Sequence, residues 1–192
     1  MENGIRSILL AGVGGQGIIR ASDILCQVMI AAGLDVKKSE VHGMAQRGGC
    51  VTSHVRYGKK VFSPLAKKGD VDILVAFEKM ETLRYLDYVQ ADGAVIVNEE
   101  EIYPPSVNLG LAAYPDGVEA LVRERFARVK TLNAAEIAVR AGNVKAANTA
   151  LLGALSAWMT VSPELWETVL RAEFPEKAVE ANLAAFRLGR AA

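Results

Sequence analysis

The residues best suited to chemistry lie near the amino end. Gly12, Gly14 and Gly17 satisfy G-x-G-x-x-G within Gly12-Val13-Gly14-Gly15-Gln16-Gly17. The apolar run Ile8 to Ala11 precedes this stretch, and Ile18, Ala21, Ile24, Leu25, Val28 and Met29 follow it at helical spacing. A glycine turn between a strand and a helix is suited to anions: the backbone can come close to a phosphate, and the free N–H groups of the helix start carry the positive end of its dipole. Gly12, Gly14, Gly15, Gln16 and Gly17 are therefore candidate ligand contacts. The competing reading is that the glycines only permit a tight turn and close packing of helix on sheet.

A second candidate stretch runs from Val41 to Cys50, through His42-Gly43-Met44-Ala45-Gln46-Arg47-Gly48-Gly49. It follows neither the helical nor the strand period and reads as a shaped loop. Arg47 offers a rigid, planar, permanently charged fork for phosphate or carboxylate, with an inter-subunit ion pair as the alternative use. His42 could move a proton near neutral pH, but no serine or carboxylate is placed by sequence to complete a triad, so no catalytic residue is assigned. His42, Gly43, Met44, Gln46, Gly48 and Gly49 are read as interface residues. The chain has two cysteines, Cys26 and Cys50, and two histidines, too few and too scattered for a metal cluster or a disulfide framework, so no metal site is assigned.

Two further patterns fail on context. Glu40 lies 23 residues after Gly17 and could hold a ribose, as the acid of a dinucleotide site does. The chain then enters another strand without the crossover helix such a fold requires. Gly69-Asp70-Val71 with Asn98 imitates the spacing of a thiamine diphosphate motif, but Asp70 precedes its strand instead of following one. Lysine pairs at 37–38, 59–60 and 67–68 read mainly as solvated surface.

The elements that would position these residues alternate between strand and helix. Strands are expected at Asp35 to Glu40, Val51 to Tyr57 (with one face exposed), Val71 to Phe77, Ala94 to Val97, Val107 to Ala113 and Arg128 to Leu132. Helices are expected at Lys79 to Val89 and Gly117 to Ala127. From Ala134 onward the pattern is almost wholly helical: Ala134 to Arg140, Val144 to Met159, Pro163 to Glu173 with Ser162 as N-cap, and Pro175 to Leu188. This predicts an α/β fold, a mainly parallel wound sheet with a glycine-rich strand-turn-helix and C-terminal helices packed on it. At 192 residues the chain is read as one domain, 1–192. Lys plus Arg equals Asp plus Glu at 22 each, so net charge suggests neither nucleic acid nor an anionic membrane as partner. The most apolar window, Val144 to Val161, is interrupted by polar residues and falls short of a membrane span. Cysteine usage fits a cytoplasmic location.

GVGGQGI at Gly12 to Ile18, HGMAQRGG at His42 to Gly49 and NLAAFRLG at Asn182 to Gly189 occur in this order across nearly the whole chain. With these motifs the chain resembles the gamma-type subunits of the 2-oxoacid:ferredoxin oxidoreductases, nearest to their indolepyruvate branch. The resemblance implies coenzyme A-dependent oxidative decarboxylation of a 2-oxoacid, an aryl pyruvate such as indolepyruvate, with reduction of ferredoxin. It implies coenzyme A as the ligand nearest this domain. Thiamine diphosphate, Mg2+ and [4Fe-4S] clusters are expected in a large thiamine-dependent catalytic partner subunit, with ferredoxin reached through the complex and the isolated chain inactive. Homodimerisation is left open. Two other readings also stay open: an independent NAD(P)- or flavin-dependent oxidoreductase, and a purely structural subunit.

Overall fold

The computed structural model describes residues 4–43 and 49–192. Six strands form one sheet in the order β2-β3-β1-β4-β5-β6: β1 (Arg6–Val13), β2 (Asp35–His42), β3 (Cys50–Gly58), β4 (Val71–Ala76), β5 (Val89–Asn98) and β6 (Arg128–Leu132). The pairs β1/β4, β4/β5 and β5/β6 are parallel, while β3 runs antiparallel to both β1 and β2. The sheet is thus the mainly parallel one expected, with an antiparallel hairpin added on one side.

Strand β1 is apolar at successive positions because both its faces are covered. Ile8 and Leu10 join a core with α1 (Ile18–Ala31), α5 (Ala134–Arg140), α6 (Ala147–Ser156), α7 (Pro163–Glu173) and α8 (Glu176–Ala191). Leu9 and Ala11 face the smaller core, which includes Leu86 and, from α4 (Val118–Arg125), Val118 and Val122. A single sheet thus separates two hydrophobic layers. Ser162 caps α7 as expected, its Oγ accepting from the Leu165 amide at 3.4 Å. The C-terminal motif has a packing role: a Cβ on Gly153 would lie 2.1 Å from the Phe186 carbonyl oxygen, and one on Gly189 2.0 Å from that of Ala150. The paired glycines let α6 and α8 touch backbone to backbone, with the Asn182 Oδ1 accepting from the Thr149 hydroxyl at 2.7 Å.

Four expectations are corrected. Val107 to Ala113 is no strand: Pro104 and Pro105 start the short helix α3 (Pro105–Asn108), after which Leu109 and Leu111 lie exposed. The helix α2 (Lys79–Tyr85) is followed by a 3-10 turn, Leu86–Tyr88, and Val89 already belongs to β5. Strand β3 is buried on both faces over Val51 to Val55, because it is an interior strand whose Thr52 and His54 face away from α1. The loop after β2 is shorter than Val41 to Cys50: Val41 pairs with Thr52 and His42 with Val51, so the two strands form a hairpin. Periodicity missed this because β2 is an edge strand, polar and only partly buried, as edges commonly are.

Candidate glycine-turn site

The turn from Gly12 to Gly17 closes the carboxyl end of β1 and delivers the chain into α1. Gly12 is packed: an added Cβ would lie 2.7 Å from that of Phe77. Gly17 is the N-cap of α1 at φ 79°, where a Cβ would also meet the Asn148 amide at 2.7 Å. Tight turning and close packing therefore account for these two glycines. Gly15 is different. Its φ is +108° and nothing lies within 4 Å of its would-be side chain, so its backbone faces open space.

Gln16 works inside the protein. Its Oε1 accepts from the Val13 amide at 2.7 Å, and its Nε2 donates to the Phe77 carbonyl at 2.7 Å and to Glu100 Oε2 at 3.0 Å. Asn98 Nδ2 donates to the same Phe77 carbonyl at 2.8 Å, while its Oδ1 accepts from the Ala134 amide at 3.0 Å. The carboxyl ends of β1, β4 and β5 are tied together in this way, which fixes the turn. Two of the turn's own amides are also used: Gly14 donates to the Gly49 carbonyl at 2.8 Å and Gln16 to that of Val13 at 3.2 Å. The amides of Gly15, Gly17 and the first residues of α1 remain to face a ligand, among the described residues.

Two open cavities flank the turn. One, of about 540 Å3, is lined by Gly14, Gly15, Ile18, Arg20, Asp23 and His42. The other, of about 360 Å3, is lined by Gly14, Gly15, Asn98, Glu100, Lys145 and Asn148. Arg20 in the first is engaged: it pairs with Glu173 Oε2 at 2.9 Å and lies over the Phe174 ring. Lys145 in the second is exposed and carries no ion pair among the described residues. The sequence reading missed Lys145, Asn148 and Glu100. Asn148 looked like an interruption in a buried helix, whereas it stands at the start of α6 and donates to the Gly17 carbonyl at 3.4 Å.

The structure brings His42 to this site, lining the first cavity with Gly14 and Gly15. It is exposed, its Nε2 3.2 Å from Glu40 Oε2. Glu40 is committed to Lys38 at 2.5 Å, and the hydrogen bond from Lys38, aided by His42, holds its carboxyl below the usual range. Strand β3 stands between β1 and the strand that carries Glu40. A ribose-binding acid would belong beside β1, so this topology speaks against a dinucleotide site. Asp70 lies just before β4 and Asn98 ends the parallel β5, at opposite ends of the sheet, which removes the thiamine imitation. Met44, Gln46, Arg47 and Gly48 lie outside the described residues. Gly43 and Gly49 bracket them: Gly43 donates to the Cys50 carbonyl at 2.8 Å, and Gly49 accepts from Gly14.

Neither cysteine is set up as a nucleophile. Burial pushes the Cys26 thiol to about 11. Burial also pushes Cys50 to about 11, against the 2.9 Å contact with the Tyr85 hydroxyl, which works the other way. Burial first, and then the nearby Arg56, lower the His54 imidazole below its usual range.

The family model for pyruvate ferredoxin/flavodoxin oxidoreductase matches residues 7–192. The chain belongs to that family. It is 38% identical over 188 residues to the indolepyruvate oxidoreductase subunit IorB of Thermococcus kodakarensis, covering 95% of this chain and 93% of the relative. Among solved structures, the gamma subunit of keto/oxoacid ferredoxin oxidoreductase from Geobacter sulfurreducens superimposes with a TM-score of 0.70 at 26% identity, covering 96% of this chain and 95% of that one. The 2-oxoglutarate:ferredoxin oxidoreductase of Magnetococcus marinus shares the fold at a TM-score of 0.72 and 24% identity. It is longer: 99% of this chain matches 31% of that one.

Proposed function

We propose that this chain is the small, gamma-type subunit of a 2-oxoacid:ferredoxin oxidoreductase acting on indolepyruvate or another aryl pyruvate. The family match over residues 7–192, together with the indolepyruvate relative of nearly equal extent, supports the reading. In the reaction, the 2-oxoacid loses carbon dioxide, its acyl group passes to coenzyme A, and two electrons leave for ferredoxin. Thiamine diphosphate, with its Mg2+, supplies the carbanion stabilisation, and iron–sulfur clusters supply the one-electron relay. We assign both to the larger partner subunit. The chain acts as one unit, 1–192, in the cytoplasm; none of its described helices is long and apolar enough to cross a membrane.

This subunit's own part is to hold coenzyme A at the glycine turn. The single observation that carries the assignment is Gly15, a left-handed glycine with open space on its side-chain side and a cavity on either flank. A pyrophosphate at Gly15 would meet the free amides of the α1 start, with Lys145 as a counter-charge on one flank. Asp23 lines the first cavity and Glu100 the second, so their carboxylates disfavour a phosphate beside them and suit hydroxyl or amino groups there. Arg47 stays in the proposal as a second anion anchor, contributed by the segment between Gly43 and Gly49. The turn and His42 line one cavity, so ligand and partner contact would share an edge of the molecule. The Magnetococcus structure contains coenzyme A, which agrees with the ligand class.

The test is titration calorimetry of coenzyme A against the assembled complex, wild type and Lys145→Gln. Saturable binding that weakens about tenfold in the variant is expected, the loss of one charge-assisted contact. Unchanged affinity would move the ligand off this turn.

A further inference from the structure

Between β3 and β4 the chain runs from Lys59 to Asp70 without helix or strand, yet it is firmly anchored. Val61 is buried, and its amide donates to Asp35 Oδ2 at 2.9 Å. Ala66 packs into the smaller core. The Arg56 guanidinium donates to the carbonyls of Ser63 at 3.4 Å and Leu65 at 3.1 Å. At the far end Gly69 donates to the Asp87 carbonyl at 2.9 Å. Between these anchors Phe62 is 85% exposed and Leu65 54%. Single exposed apolar residues need no explanation. Here a segment with many fixed points presents an aromatic ring and a leucine three residues apart, and the aromatic is among the most exposed of the large apolar side chains.

The same twelve residues carry Lys59, Lys60, Lys67 and Lys68, all exposed. Lys60 reaches Asp35 at 3.6 Å and Lys68 reaches Asp87 at 3.7 Å, pairs too exposed to neutralise the surface strongly. Lys59 and Lys67 form no ion pair among the described residues. An apolar anchor with a cationic rim fits an acidic surface that offers an apolar pocket, since rim charge steers encounter and a buried aromatic supplies most of the affinity.

The lengths of two relatives point to what such a surface would belong to. In the Magnetococcus protein this fold is 31% of one longer chain, and in the ketoisovalerate oxidoreductase subunit VorA of Methanothermobacter thermautotrophicus, 29% identical over 187 residues, it is 35%. Covalent linkage there keeps the fold beside the remaining two thirds at high effective concentration. Where the fold stands as a subunit of its own, as the name of the Thermococcus relative states, a surface patch must supply that affinity. We propose that Phe62 and Leu65, with Lys59, Lys60, Lys67 and Lys68 as their rim, dock an acidic surface on the larger subunit of the oxidoreductase. The proposal rests on the subunit reading above and is independent of the coenzyme A site.

The experiment measures the affinity of the full chain for the purified large subunit by calorimetry at two salt concentrations, for wild type, Phe62→Ser, and Lys59→Gln with Lys67→Gln. Each variant's thermal melt is checked against wild type. Phe62→Ser should weaken association on the order of tenfold or more with an unchanged melt. The lysine variant should weaken it less and flatten the salt dependence. Wild-type affinity in both variants overturns the docking site while leaving the subunit reading intact. Failure of the wild-type chain to bind any large subunit overturns both. Sedimentation of the chain alone supplies the third comparison: a dimer that Phe62→Ser dissolves, with capture of the large subunit intact, would assign the patch to a second copy and overturn the proposal.

Discussion

The Gly14 amide donates to the Gly49 carbonyl at 2.8 Å, and this bond ties the glycine turn to the far end of the segment that begins at His42. The register continues it, since Val13 of β1 pairs with Cys50 of β3. Whatever moves Gly49 therefore pulls on the backbone that faces the proposed ligand. Amide exchange should show the coupling. Joining the large subunit is expected to slow exchange across 42–50, and adding coenzyme A to slow exchange in 12–17 and 42–50 together. Protection confined to one of the two segments on coenzyme A addition would disconnect them.

The glycines of the turn should divide by experiment. Gly12→Val forces a side chain against Phe77 in a filled space, so it should lower the thermal stability by about 1–3 kcal/mol. Gly15→Ala meets no neighbour and pays only for its left-handed backbone, about 1–2 kcal/mol. Its added methyl faces the proposed pyrophosphate, so coenzyme A affinity should fall about tenfold. Calorimetry and thermal melts on both variants check this. A Gly15→Ala complex that binds coenzyme A like wild type would take the pyrophosphate away from Gly15.

The strand-turn-helix from Ser7 to Met29 is legible because its strand is apolar from Ile8 to Ala11 and its helix on one face; both patterns follow directly from burial. Strand β2 is legible from Asp35 to Glu40, but its exposed end at Val41 and His42 carries no pattern to read, so the sequence predicts a long loop where the hairpin with β3 closes. Val107 to Ala113 misled for the converse reason. Its two leucines, Leu109 and Leu111, are exposed, and sequence cannot tell an apolar surface from a core. Near the turn, Gly15 and His42 stand out in sequence by type and spacing, and the structure places both along one cavity. Lys145, Glu100 and Asn148 come from remote parts of the chain, and only the ends of β5 and α6 bring them to the turn.

Glu81 predicts a pH dependence. Its side chain is buried and Oε2 has no hydrogen-bond partner, so burial first, and then the neighbouring Glu78, raises its carboxyl above the usual range, although Cys50 and Arg84 oppose this. A raised acid binds its proton more tightly in the folded chain. Its stabilising contribution is therefore complete below the ordinary glutamate range and is lost as pH rises through the folded value. Glu81→Gln should flatten the fall in melting temperature between pH 4 and pH 8 and raise it at the upper end. A steeper fall in the variant would show that the charged form is stabilised by groups other than these.

The Phe77 carbonyl accepts from both Gln16 and Asn98, which predicts non-additive losses. Asn98→Ala also strands the buried Ala134 amide, so it should cost about 2–3 kcal/mol, and Gln16→Ala about 1–2 kcal/mol. Because the two side chains share this carbonyl and Glu100, the double variant should deviate from the sum by about 0.5 kcal/mol or more. Denaturant titrations of the four proteins close the cycle, and strict additivity would mean that the two bonds act separately.

The chain alone should not oxidise 2-oxoacids. The chemistry needs a carbanion stabiliser and a one-electron relay, neither of which ordinary side chains supply. A cluster usually takes four thiolates, and the chain has Cys26 and Cys50, both with thiols raised to about 11 by burial. No group of three or more potential metal ligands exists among the described residues. The chain's contribution is therefore expected to be binding and contact. Purified chain mixed with an aryl pyruvate, coenzyme A, thiamine diphosphate, Mg2+ and an artificial electron acceptor should stay silent, and turnover should begin when the large subunit is added. In that complex, Cys26→Ser with Cys50→Ser should keep activity within about twofold, because neither thiolate takes part. Turnover by the chain alone, with contamination excluded, would return it to the class of independent oxidoreductases. A large loss in the double cysteine variant with an unchanged melt would instead place a thiol in the reaction path.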